Sequence, residues 1–121
     1  KILSDSNIGP KTLSELDINE TLSKSHIPMI FFYGSKDALM QQGYDFARQV
    51  AKLGNRTEFY IAEGQEHGFT AARNVTSISP WAKAAWYQTD LFLQSLGYLQ
   101  GKSAISIDPK YSLKQVDLLK D

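Results

Sequence analysis

The chain has 121 residues, 42% of them apolar and 21% charged, which is the balance of an ordinary globular protein and a length for one domain. Thirteen basic and thirteen acidic side chains cancel, so no electrostatic footprint favours nucleic acid or an anionic membrane surface as a partner. There is no cysteine, which excludes disulfides and thiolate metal sites, and the longest apolar run, Met29 to Tyr33, falls far short of the ~20 residues of a spanning helix.

Nothing near the start has the charged, apolar and small-residue sections of a signal peptide. The chain opens at Lys1 in mid-stream, without an initiator Met, and is expected to be a piece of a longer protein. Residues 1 to 26 are rich in Ser, Asn, Asp and Lys, with Gly9-Pro10 as a turn signal. Leu13, Leu16, Ile18 and Leu22 have a loose helical spacing, with Thr12 as N-cap and Glu15 completing a capping box. His26, Ile27 and Pro28 then introduce a strand, at whose first position a proline is tolerated.

Met29 to Tyr33 shows no alternation of apolar and polar residues, which predicts a strand buried on both faces of a parallel sheet. Gly34 to Gln42 is the following loop. From about Gln42 to Leu53, residues Tyr44, Phe46, Ala47, Val50 and Ala51 gather on one side of a predicted helix. Gly54 falls where a helix end needs positive φ. Thr57 to Ala62 is the second predicted strand, and the short connections imply a right-handed parallel crossover.

Gly64 to Asn74 is a loop carrying His67-Gly68-Phe69, where Gly68 lets the backbone turn away after the histidine. Ser79 as N-cap and Pro80 at the first helical position open a second helix. Its stripe is Trp81, Ala85, Gln88, Phe92 and Leu96, with Ala84, Leu91 and Leu93 beside it, and Gly97 closes it. In the tail, Asp108-Pro109 starts a predicted short helix through Leu119, with Leu113, Val116 and Leu119 as its apolar face. The fold class is α/β, a strand–helix–strand–helix series. Two buried parallel strands do not finish a sheet, so their open edges must be paired by an upstream segment or by self-association with another copy.

Two strand ends each deliver a proton-handling side chain to the loop that follows. Asp37 comes three residues after Gly34, and His67 three residues after Gly64. Ligands of open α/β sheets bind outside the carboxyl ends of the strands, and an Asp and a His there read as two members of a hydrolytic triad. Plainer readings stand beside this one. Asp37 also suits a turn residue or a cap for the helix that follows. A lone loop histidine is ordinarily just solvated, Glu63 and Glu66 read as solvated charges, and His26 has no assigned task. Trp81, Trp86, Tyr87 and Phe92 suit helix packing better than a substrate platform. Asp37, Glu66 and His67 lack the ligand spacing of a metal site. The tripeptides at Asn19, Asn55 and Asn74 fit a glycosylation acceptor pattern that arises often by chance and carries no weight here.

Residues 25 to 100 resemble the C-terminal part of α/β-hydrolases, of the esterase, dienelactone-hydrolase and prolyl-oligopeptidase-like branches. The likeness rests on an apolar run followed by Gly34-Ser35-Lys36-Asp37, then a helix and a strand, then Gly64-Gln65-Glu66-His67-Gly68-Phe69. The closing helix with Phe92-Leu93 and Leu96-Gly97-Tyr98-Leu99 is similar as well. This resemblance implies that the whole chain, 1 to 121, is the C-terminal part of a single α/β-hydrolase domain, with 101 to 121 as a tail.

The resemblance further implies a serine hydrolase cleaving small-molecule carboxylic esters, with His67 as base, Asp37 as acid and no cofactor. The family's nucleophile, a serine in G-x-S-x-G, does not occur in this sequence and would lie upstream, together with the oxyanion-hole donors. Ser35 follows a glycine but belongs to the acid loop and has no second glycine two residues on. The chain alone is therefore expected to be inactive. Two alternatives stay open: a prolyl-oligopeptidase-type peptidase, and a hydrolase-like module that has lost catalysis and serves binding or assembly.

Overall fold

The computed structural model describes residues 27–71 and 77–120. The predicted helix that starts at Thr12, and also His26, lie outside the described residues. Two parallel strands, β1 (Met29–Gly34) and β2 (Thr57–Ala62), flank helix α1 (Met40–Lys52) in sequence. Helix α2 (Pro80–Ser95) follows, then a 3-10 turn at Pro109–Tyr111 and a two-residue strand β3 (Lys114–Gln115). The sheet is mixed, in the order β1-β2-β3, with β3 antiparallel to β2. Among the described residues no helix is long and apolar enough to cross a membrane.

The core forms because alternate side chains of each strand leave on opposite faces. Phe31 and Tyr33 of β1 and Phe59 and Ile61 of β2 share the face that α1 covers. Phe59 is fully buried at its centre. Its ring stacks on Tyr33 with centroids 5.4 Å apart and meets Tyr44 of α1 edge-on at 5.8 Å. From α1, Ala47 and Val50 are buried, as the helical spacing predicts. Gly43 is buried too, because the Tyr33 ring lies against its backbone where a Cβ would overlap the ring.

On the other face, Phe32 stacks on Tyr60 at 5.6 Å, and Arg56, Glu58 and Tyr60 are tied side to side. The Arg56 guanidinium lies 4.6 Å from the centroid of Phe92, so α2 covers this second face. Burial raises the Tyr60 hydroxyl above the ordinary phenol range, and its hydrogen bond to Glu58 adds to the rise. The helix boundaries follow their local chemistry. Ser79 Oγ accepts the Trp81 N–H at 3.1 Å with Pro80 in the first helical position, and Gly54 takes φ 93° after α1. Helix α1 starts two residues earlier than predicted, because Asp37 turns the chain ahead of it.

Two expectations are corrected. Met29 to Tyr33 is half-buried throughout, since β1 ends the strand order and pairs with β2 alone among the described residues. The tail is not a helix through Leu119. After the turn capped by Asp108, the chain extends along the open edge of β2, where Val116 N–H donates to Phe59 O at 2.9 Å. Leu118 is buried, while Leu119 is 61% exposed. Val116 and Leu118 thus follow the two-residue period of extended chain, which overrides the three-residue spacing of Leu113, Val116 and Leu119.

Candidate functional site

The register of β1 on β2 brings the two candidate residues together. Met29 pairs with Thr57 and Gly34 with Ala62, so both strands end at the same level and release their loops side by side. Ser35 N–H donates to Ala62 O at 3.0 Å, which carries the pairing one residue beyond the strands. Lys36 N–H donates to Gln65 O at 2.9 Å, and Ser35 Oγ accepts the Gly64 N–H at 2.7 Å. Gly34 permits this closeness: a Cβ there would overlap the Gln65 carbonyl.

Asp37 sits in a tight turn of the acid loop. Its N–H donates to Gly34 O at 3.1 Å, and its own carbonyl accepts the Met40 N–H at 3.1 Å. One carboxylate oxygen, Oδ1, accepts the Leu39 N–H at 2.8 Å. The other, Oδ2, lies 3.0 Å from His67 Nδ1. Asp37 is therefore both the turn residue ahead of α1 and the partner of His67, so the two readings of the sequence are compatible. The Asp37 side chain is only 4% exposed, whereas that of His67 is 73% exposed.

This asymmetry has a chemical consequence. The Leu39 N–H beside Asp37 holds its carboxyl below the ordinary 3.8, with His67 adding to the effect and burial opposing it. An ionised carboxylate can only accept hydrogen bonds, so in the neutral ring Nδ1 carries the proton and donates it. That leaves Nε2 as the lone-pair nitrogen on an open ring. A histidine so arranged can take a proton from a hydroxyl brought up to it and hold the resulting charge against a buried carboxylate.

The other singled-out residues are placed more plainly. Glu63 and Glu66 are exposed. Among the described residues no group of three or more His, Asp or Glu side chains could hold a metal ion. Trp81 packs edge-on against Tyr111 at 5.4 Å and Phe92 is buried against Arg56, so both serve helix packing. A groove of about 510 Å³ among the described residues is lined by Asn55, Arg56, Thr57 and the tail from Gln115 to Leu119, not by Asp37 or His67.

Sequence reasoning missed Ser35 as the tie between the loops and Gly34 as the site of their contact. A G-S pair at a strand end next to a candidate acid carries a local signal for a turn, but none for which loop it will touch. No family model matches the chain, and searches of curated proteins and of solved structures find no match.

Proposed function

We propose that Asp37 and His67 are the acid and base of a Ser-His-Asp triad in a serine hydrolase acting on carboxylic esters. The nucleophilic serine and the oxyanion donors come from a segment of the α/β-hydrolase domain outside this sequence. The observation that carries the reading is the 3.0 Å contact between His67 Nδ1 and the nearly buried Asp37 Oδ2, with the ring itself open. The parallel β1–α1–β2 frame, with both residues just past the strand ends, supports it.

In this reading His67 Nε2 accepts the serine proton as Oγ attacks the ester carbonyl. The tetrahedral intermediate collapses when the same proton passes to the leaving alkoxide, which departs as the alcohol. Water then takes the serine's place. His67 removes a proton from it as it attacks the acyl-serine, and returns that proton to Ser Oγ, releasing the acid. Throughout, Asp37 keeps the Nδ1–H tautomer and stabilises the imidazolium without taking a proton.

The test uses the protein with its upstream hydrolase segment and an activated ester such as p-nitrophenyl acetate. His67→Ala is expected to lower kcat/KM by on the order of 10³-fold or more. Wild-type turnover in that variant would sink the assignment. A second reading follows from one observation: Asp37 Oδ1 already caps the turn at Leu39, a purely structural task. A non-catalytic binding or assembly module would keep that cap, and in it the His67→Ala variant would match wild type in every assay of activity.

A further inference from the structure

We propose that Ser35 is a positioning residue for the Asp37–His67 pair, its hydroxyl holding the histidine loop in place against the acid loop. The inference rests on reading that pair as triad acid and base. His67 is 73% exposed, so little packing orients its ring. Its position depends on the Asp37 bond and on where the backbone of residues 64–67 is held. Two side-chain hydrogen bonds join the loops among the described residues: Asp37 with His67, and Gly64 N–H with Ser35 Oγ.

The Ser35 bond acts at the first turn of the histidine loop. Ala62 O accepts both the Ser35 N–H at 3.0 Å and the Gln65 N–H at 3.2 Å, so the chain reverses tightly just beyond β2. At Gly64, φ is 79°, and the N–H of that residue points to Ser35 Oγ at 2.7 Å. This is the point where the backbone chooses its course toward His67. Gly64 is exposed, so water can satisfy its N–H once the hydroxyl is removed. Loss of the hydroxyl therefore relaxes the loop while leaving the fold nearly as stable. A purely structural serine would show the opposite balance.

The experiment uses the intact protein with ¹⁵N-labelled histidine, in wild type and in Ser35→Ala, Ser35→Cys, Ser35→Thr and Ser95→Ala forms. Cysteine nearly preserves the volume of serine but accepts hydrogen bonds weakly, and threonine keeps the hydroxyl. Ser95 Oγ donates to Phe92 O at 2.6 Å in α2, away from the pair, and serves as the control. Ring ¹⁵N shifts report the His67 tautomer, and p-nitrophenyl acetate turnover reports kcat and KM.

Ser35→Ala and Ser35→Cys are expected to move His67 from the Nδ1–H toward the Nε2–H tautomer. They should lower kcat ~10- to 100-fold, as small misplacements of a catalytic group do, with KM within ~2-fold of wild type. Ser35→Thr should restore both, and Ser95→Ala should change neither. A wild-type His67 tautomer in Ser35→Ala overturns the proposal, as does the same shift in Ser95→Ala. If wild-type esterase activity survives His67→Ala, the triad reading fails; the tautomer shift then decides on its own whether Ser35 positions His67.

Discussion

Gly34 and Gln65 lie in backbone contact, so close that a Cβ on Gly34 would overlap the carbonyl oxygen and carbon of Gln65. The same carbonyl accepts the Lys36 N–H at 2.9 Å. Gly34 ends β1, and Gln65 sits in the first turn beyond β2, so this contact sets how near the acid loop and the histidine loop can come. Asp37 and His67 are 30 residues apart in sequence and 3.0 Å apart in space because two strands end level and their loops are sewn together there.

Gly34→Ala should therefore disturb the pair more than its single methyl suggests. The group it meets is main chain, which cannot rotate aside as a side-chain end would, so the two loops must separate. A cost of about 1–3 kcal/mol is expected from this overpacking, read as a lower urea midpoint. The His67 ring should lose its Nδ1–H signature in the same variant. Unchanged stability together with an unchanged His67 tautomer would show that the loops yield freely.

The lowered pKa of Asp37 sets the sign of one pH dependence. Its folded-state value lies below the ordinary 3.8, so ionised Asp37 stabilises the fold at pH above 3.8, and that contribution is lost as pH falls through the folded value. Urea midpoints measured from about pH 5 down to about pH 2 should fall in wild type and fall less steeply in Asp37→Asn. The largest cause of the lowering is the Leu39 N–H, with His67 behind it. His67→Ala should accordingly flatten the slope in part, since it removes the His67 contribution and leaves the Leu39 N–H contact in place. Parallel profiles for wild type and Asp37→Asn would remove Asp37 from the acid response.

Much of this arrangement was legible where a signal is local. Ser79-Pro80 states a helix start by the chemistry of two adjacent residues, and Gly54 states a helix end by its tolerance of φ 93°. The apolar runs at Met29 and Thr57 specified strands, and Asp37 and His67 were legible as candidates because each follows a strand end. What escaped was relational. That β1 pairs with β2 alone among the described residues, that Gly43 must be bare to admit the Tyr33 ring, and that Ser35 reaches Gly64 all depend on which segment arrives alongside. The tail was misread because Leu113, Val116 and Leu119 suit a helix in isolation. The open edge of β2 decided otherwise, by offering backbone hydrogen bonds to an extended chain.

Phe59 should be the costliest single truncation in the sheet. It is fully buried, with Phe31, Tyr33 and Tyr44 around its ring at centroid distances of 6.1, 5.4 and 5.8 Å. Those neighbours come from β1 and α1, which cannot both collapse into the vacated space. Phe59→Ala is expected to cost about 3–5 kcal/mol. Leu119→Ala, at a side chain 61% exposed, should stay within about 0.5 kcal/mol of wild type by urea denaturation. Similar losses in the two variants would mean that the core does not centre on Phe59.

The tail should behave as an edge cover for β2. Gln115 and Lys114 pair with Tyr60 and Ile61, and Arg48 Nη1 on α1 donates to the carbonyls of Leu118 at 3.3 Å and Lys120 at 2.6 Å. Burial of Leu118 adds an apolar anchor between those polar ties. Removing residues 114–121 would expose both the β2 edge and the side of Phe59 that Leu118 covers. Bare edges pair with other chains. The truncated protein is therefore expected to melt at lower temperature and to self-associate with rising concentration, measured by light scattering. Leu118→Ala keeps the backbone pairing and loses only the anchor, so it should cost about 2–5 kcal/mol without self-association. If the truncated protein matches Leu118→Ala in both respects, the tail acts through its one buried side chain and the strand pairing is incidental.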